Sequence, residues 1–177
     1  MADATIGYDH TQKTIYIENK EVVINFIETW GEELRSKAFH ASFYRRSDCC
    51  ILVFDITNEQ SFLDLKLWRD DFMLKRKPDY PDFFPFAVIG NKLDKNDQRK
   101  VTEKRARKFC SDLIDNSFSK VPYFETSATA NINVFESFNQ IIRGIINTKL
   151  EEGEIHEDTI QVSQTNSSET KKSKKCC

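Results

Sequence analysis

The sequence predicts an α/β domain built on a mainly parallel sheet. Two observations carry that prediction: short apolar runs recur along the chain, and between them lie stretches whose apolar residues repeat every three or four positions. Alternation of this kind gives parallel strands joined by crossover helices. A third observation sets the scale. The chain has 177 residues, 39% hydrophobic and 31% charged, which is material for one core with an ordinary solvated surface.

The elements follow in order. Residues 11–29 read as a hairpin, with Glu18-Asn19-Lys20 as its turn and Asn19 tolerant of a positive φ. On the second arm Val22, Ile24 and Phe26 alternate with Val23, Asn25 and Ile27, so both faces are mostly apolar, as in a strand buried between layers. Residues 49–55 (CCILVFD) form an apolar run short enough for a buried strand. The helical stretch after it carries Phe62, Leu65, Trp68 and Phe72 on one side. A second run, 84–90 (FPFAVIG), precedes a basic helix with Ala106, Phe109, Cys110 and Leu113 at core spacing. The last strand candidate is 121–127 (VPYFETS). The final helix presents Val134, Phe135, Phe138, Ile141, Ile142 and Ile145, with Asn133 and Glu136 spaced as a capping box.

Residues 1–150 are therefore expected to form one domain, and 151–177 a disordered tail. The tail is rich in acids, Ser, Thr and Lys and holds too little apolar surface to offset its ordering entropy.

Bulk properties narrow the function. A net charge of −2 gives no global field for nucleic acid, so no nucleic-acid partner is expected. No apolar run is long enough for a transmembrane helix, and the N-terminus has no basic-then-apolar signal pattern, so synthesis and folding in the cytosol are expected. The five cysteines suit that compartment. Cys49, Cys50 and Cys110 read as small buried hydrophobes, while Cys176 and Cys177 are the last two residues.

Chemistry concentrates at the ends of the apolar runs. Asn91-Lys92-Leu93-Asp94 directly follows the run ending at Gly90, and open α/β sheets bind ligands at the carboxyl ends of their strands. A carboxylate such as Asp94 can accept both N–H donors of a guanine edge, which adenine does not offer. The stem of Lys92 can lie over a base, and Asn91 can tie neighbouring loops. Taken alone, the tetrapeptide also fits an ordinary polar loop. Thr126-Ser127-Ala128, one helix and one strand later, strengthens the guanine reading: the Ala128 N–H can meet the guanine carbonyl, and Ser127 can brace Asp94.

With NKLD followed by ETSA, the chain resembles the Ras-like small GTPases. FYRRSDCCILVFDITNEQSF, WRDDF, FPFAVIGNKLD, VPYFETSA and INVFESF are similar to the Rab family, in particular its late-endosome and lysosome branch, over about residues 43–146. The resemblance implies a Ras-like P-loop NTPase G domain with helices on both faces of a mainly parallel sheet. It implies guanine nucleotide (GTP/GDP) with Mg²⁺, held by Asn91, Lys92, Asp94, Ser127, Ala128 and Thr129. It also implies a monomeric switch in vesicle trafficking, on the cytoplasmic face of late endosomes, lysosomes or vacuoles with a cytosolic pool. Its partners would be Rab effectors, an exchange factor, a GDP-dissociation inhibitor and an escort protein.

Toward the N-terminus the resemblance continues with departures. Ala4-Thr5-Ile6-Gly7 resembles the first switch, where Thr5 would bind Mg²⁺ and the γ-phosphate. Glu28-Thr29-Trp30-Gly31-Glu32-Glu33 stands where the family has Asp-Thr-Ala-Gly-Gln-Glu. Gly31 lets its N–H approach the γ-phosphate, and Glu28 would hold a Mg²⁺-bound water in place of Asp. Glu32 replaces the catalytic Gln; a carboxylate can accept from the attacking water but cannot donate to developing charge. Trp30 adds bulk beside it, and one extra residue lies before Phe43-Tyr44-Arg45. None of Gly7, Gly31, Gly90, Gly144 or Gly153 belongs to a GxxxxGK[ST] loop. The expectation is a G domain without its first strand, phosphate loop and first helix. The hairpin would then lack its central neighbour.

At the other end Lys171, Lys172, Lys174 and Lys175 precede Cys176-Cys177. By the same resemblance both thiols would carry geranylgeranyl groups, since two chains, or one plus a basic patch, anchor stably. Two rival readings stand beside the switch: a nucleotide-free, membrane-anchored effector-binding module, and a truncated product with no stable fold of its own.

Overall fold

The structure, a computed structural model, describes residues 8–17, 20–29, 44–77, 84–113 and 120–151. In chain order its elements are β1 (Tyr8–Ile17), β2 (Lys20–Thr29), β3 (Cys50–Asp55), α1 (Glu59–Leu63), α2 (Leu65–Arg76), β4 (Phe86–Asn91), a 3₁₀ turn (Leu93–Gln98), α3 (Glu103–Asp112), β5 (Tyr123–Glu125) and α4 (Val134–Glu151). This is the expected α/β alternation. β3, β4 and β5 pair in parallel in that order, with Cys50 opposite Phe86 and Val88 opposite Tyr123.

Helices cover both faces of this sheet, because period-2 alternation sends successive side chains to opposite sides. Leu52, Phe54, Phe86, Val88 and Tyr123 face a core closed by Phe62, Leu65 and Phe72 of α1–α2 and by Ala106 and Cys110 of α3. Ile51, Ala87, Ile89 and Phe124 face Phe138, Ile141 and Ile145 of α4. Each fully buried aliphatic or aromatic side chain contributes about 1.5–3 kcal/mol of transfer free energy.

Local chemistry sets the boundaries. Asn58 caps α1 by accepting from the N–H of Gln60 and Ser61, and Thr102 caps α3 by accepting from Arg105 N–H. α2 stops at Lys77, which takes the left-handed conformation (φ 47°) and returns its N–H to Met73.

Several sequence expectations are corrected. The run at 121–127 is strand only over Tyr123–Glu125: Pro122 bonds β4 through its carbonyl alone, having no N–H to offer, and the chain turns away after the Thr126 N–H bond to Gly90 O. The capping box at the start of α4 does not form: Asn133 sits at φ 57°, its amide donates to the Glu125 carbonyl, and Glu136 accepts from Gln140. β2 is not buried on both faces, since Val23 is 49% and Ile27 37% exposed while Val22, Ile24 and Phe26 are half-buried.

That last difference follows from topology. β1 and β2 form a two-stranded antiparallel sheet of their own, with Tyr8 opposite Thr29 and Ile17 opposite Lys20. Among the described residues neither strand pairs with the parallel sheet. Phe26 of β2 meets Phe138 of α4 edge-on at 5.5 Å. Among the described residues β3 is an edge of the parallel sheet, and Val53 on its α4-facing side is 54% exposed rather than buried.

Candidate functional site

The carboxyl ends of β3, β4 and β5 bring together three chain segments. From β4 the chain passes through Asn91 into Lys92, which adopts the left-handed conformation (φ 70°, ψ 38°). A non-glycine residue held there costs roughly 1–3 kcal/mol, a strain that persists only where surrounding bonds fix it. Here they do: Leu93 N–H donates to Thr126 O at 2.9 Å, and Lys95 N–H returns to Lys92 O at 2.9 Å.

From β5 the chain continues through Thr126-Ser127-Ala128. Thr126 N–H extends the ladder by donating to Gly90 O. The Asn91 side-chain Oδ1 accepts the Ala128 N–H at 3.1 Å and the Thr126 hydroxyl at 3.4 Å, so this side chain laces the two loops together. Ser127 is fully buried, its hydroxyl donates to Asp94, and it accepts from Ala130 N–H at 3.0 Å. Asp94 and Thr129 lie exposed at the mouth of the site.

Gly90 is required by packing. A Cβ there would come 2.7 Å from the Tyr123 hydroxyl and 3.0 Å from Ile56. The close approach lets β4 and β5 meet immediately beneath the site.

Two further residues complete the floor, and sequence reading did not single them out. Arg99 reaches both oxygens of Glu125 at 2.7 Å and also donates to Asn96 and Val101 O. The Arg99 bond holds the Glu125 carboxyl below its usual range; burial opposes this, and the Tyr123 hydroxyl, donating at 2.8 Å, assists. Asp55, at the end of β3, accepts from Lys92 Nζ at 2.7 Å and from the N–H and hydroxyl of Thr57 at 2.8 and 2.7 Å. Burial pushes its carboxyl up, but the Lys92 and Thr57 bonds outweigh it and the net shift is downward. The available signal was position: Asp55 ends a strand next to the one that ends in Asn91.

The structure thus brings Asn91, Lys92, Asp94, Ser127, Ala128 and Thr129 to one end of the sheet. Glu28 is an exposed residue near the end of β2. Thr5, Gly31 and Glu32, the extra residue before Phe43, and Cys176 and Cys177 lie outside the described residues.

A model of the Ras family matches residues 1–147. The "GTP-binding protein YPTC5" of Chlamydomonas reinhardtii is 42% identical over 164 residues, 92% of this chain and 77% of that protein. The "Ras-related protein Rab-7a" of Paramecium octaurelia is 35% identical over 174 residues, 98% of this chain and 82% of that one. The "Ypt/Rab-type GTPase ypt7" of Pyricularia oryzae is 41% identical over 144 residues, 81% and 67% of the two chains.

Proposed function

The chain belongs to the Ras family of small GTPases, in its Rab branch, and from that premise we propose that it works as a guanine-nucleotide-dependent switch in traffic to late endosomes, lysosomes or vacuoles. The observation that carries the nucleotide part is the lacing of the NKLD and TSA loops through Asn91, Ala128, Ser127 and Asp94. A preformed, braced Asp94 discriminates bases with little reorganisation on binding. Asn91, Lys92, Asp94, Ser127, Ala128 and Thr129 would hold the base and ribose side of the nucleotide, and Thr5 and Gly31 the phosphates. The Ala128 N–H is engaged by the Asn91 side chain, so guanine would share or displace that bond.

Mg²⁺ accompanies the nucleotide in this reading. Thr5 would supply its hydroxyl to the ion, and Glu28, whose carboxylate is exposed near the end of β2, would hold a water bound to it rather than the ion itself. The ion would neutralise phosphate charge beside Thr5. Residues 1–150 would act as the G domain and 151–177 as the tether, lipidated on Cys176 and Cys177. Effectors, an exchange factor, an escort protein and a dissociation inhibitor would be its protein partners, and the tail would place it on the cytoplasmic face of the organelle.

A second reading is favoured by one structural fact. The hairpin β1–β2 and the parallel sheet are separate sheets, which suits a binding module that presents the hairpin without turning nucleotide over. Titration of the 177-residue chain with fluorescent GDP, competed by GTP and ATP, separates the two readings. The switch requires saturable binding that GTP displaces and ATP does not. It also requires Asp94→Asn to move that preference toward xanthine nucleotide, because the reversed donor needs an acceptor on the base. Absence of binding leaves the module.

A further inference from the structure

We propose that Asp55 is a positioning residue of the base site, acting through Lys92. The inference rests on the guanine reading above and adds a residue from a third strand to it.

The geometry gives Asp55 two divided tasks. Its Oδ1 is fixed by Thr57, accepting both the N–H and the hydroxyl of that residue, which closes a tight turn after β3. Its Oδ2 takes Lys92 Nζ at 2.7 Å. The Asp55 side chain is 19% exposed, whereas that of Lys92 is 48% exposed. An anchored, mostly covered carboxylate therefore holds the head of a lysine whose side chain is half-exposed. Asp55 also pairs in register with Asn91, and Ile56 N–H donates to Asn91 O at 3.1 Å, so the tether is tied to the backbone that positions Lys92.

The consequence concerns entropy rather than ion-pair strength. A half-exposed ion pair adds little stability. A lysine stem free to rotate, however, loses rotamer freedom when a base packs on it. With the head held by Asp55 and the backbone held at positive φ, much of that ordering precedes binding. Asp55 itself need not touch the ligand.

The test uses the full 177-residue chain. Asp55→Asn keeps an oxygen for the Thr57 turn and removes the charge that holds Lys92. Acylation of Lys92 by an amine-reactive ester, resolved by peptide mass spectrometry, reads the tether without nucleotide and should rise about two- to fivefold, the range an exposed ion pair supports. Fluorescent GDP affinity should fall by a similar factor while guanine remains preferred over adenine. In a Lys92→Ala background, Asp55→Asn should cost no further affinity; with Lys92 present, Asp55→Glu should keep part of the protection that Asp55→Asn loses. Unchanged acylation overturns the tether, as does an Asp55→Asn loss that persists undiminished without Lys92. Wild-type chain that binds no guanine nucleotide overturns the base-site reading, and the proposed role falls with it even if acylation responds.

Discussion

Arg99 and Glu125 form a two-pronged ion pair, Nη1 to Oε1 and Nη2 to Oε2, each at 2.7 Å. The pair joins the loop after β4 to the end of β5, directly beneath the laced loops. Both side chains are mostly covered, with 18% and 15% exposure, and Asn96, Val101 O and Tyr123 take up further bonding capacity.

A pH prediction follows. The Glu125 carboxyl is held low in the folded protein, first by the Arg99 bond. A depressed carboxylate contributes stability that is fully present above its unfolded value, about 4.3, and that is lost as pH falls through the lower folded value. Asp55 shifts in the same direction. Glu125→Gln should lower the melting temperature at neutral pH and flatten its fall in acid. Melting curves by circular dichroism from about pH 3 to pH 7 check this. An acid limb as steep as that of the wild type would mean that other carboxylates govern it.

Gly90 yields a packing prediction. Gly90→Ala places a methyl group against the Tyr123 hydroxyl, Ile56 and Phe54 at 2.7–3.1 Å, and should destabilise by about 1–3 kcal/mol. Tyr123→Phe removes the nearest of those atoms. It also removes the hydrogen bond to Glu125, so alone it should cost about 1 kcal/mol. Together the two should cost less than their sum. Urea unfolding of the four proteins measures the coupling, and strictly additive costs would show that the hydroxyl is not what excludes the side chain.

Much of this was legible in the sequence because the signals were local. The runs CCILVFD and FPFAVIG become β3 and β4, and Phe62, Leu65 and Phe72 share one buried face as their spacing implied. What escaped reading depends on partners distant in sequence. Val53 sits in an apolar run yet is exposed, because it lies on the α4 side of an edge strand. Asn133 and Glu136 have capping-box spacing, but the Glu125 carbonyl, eight residues upstream, takes the Asn133 amide instead. In the site, the NKLD and TSA segments announced themselves as motifs, whereas Asp55 and Arg99 act through contacts that no spacing encodes.

Membrane residence should depend on both terminal cysteines. One lipid chain gives only marginal, reversible binding, with K on the order of 10⁴ M⁻¹. Cys177→Ser should therefore leave weak attachment that salt weakens further, the residual help coming from Lys171, Lys172, Lys174 and Lys175. Replacing Cys176 as well should move the protein to the soluble fraction. Fractionation of cells expressing each variant tests it, and a double variant still on membranes would place the anchor elsewhere.

Hydrolysis gives the last prediction. The 177 residues contain no GxxxxGK[ST] loop, and in the proposed reading Glu32 takes the place of the glutamine that orients the attacking water. Such a loop supplies backbone donors and a lysine, and each charge-assisted bond is worth about 1.5–3 kcal/mol. In that role Glu32 would add a second deficit, because a carboxylate would bring negative charge toward a phosphate and cannot donate. Single-turnover hydrolysis by the 177-residue chain should therefore be very slow. Fusing a strand–GxxxxGK[ST]–helix segment ahead of Met1 should restore tight GDP binding but leave hydrolysis slow. Glu32→Gln in that fusion should then raise the rate by about ten- to a hundredfold, somewhat under the effect of restoring one well-placed transition-state donor. Unchanged hydrolysis after Glu32→Gln would remove the residue from the reaction. Sub-micromolar GDP affinity in the unfused chain, abolished by changing Thr5 or Gly31, would show that these 177 residues build a phosphate site of their own.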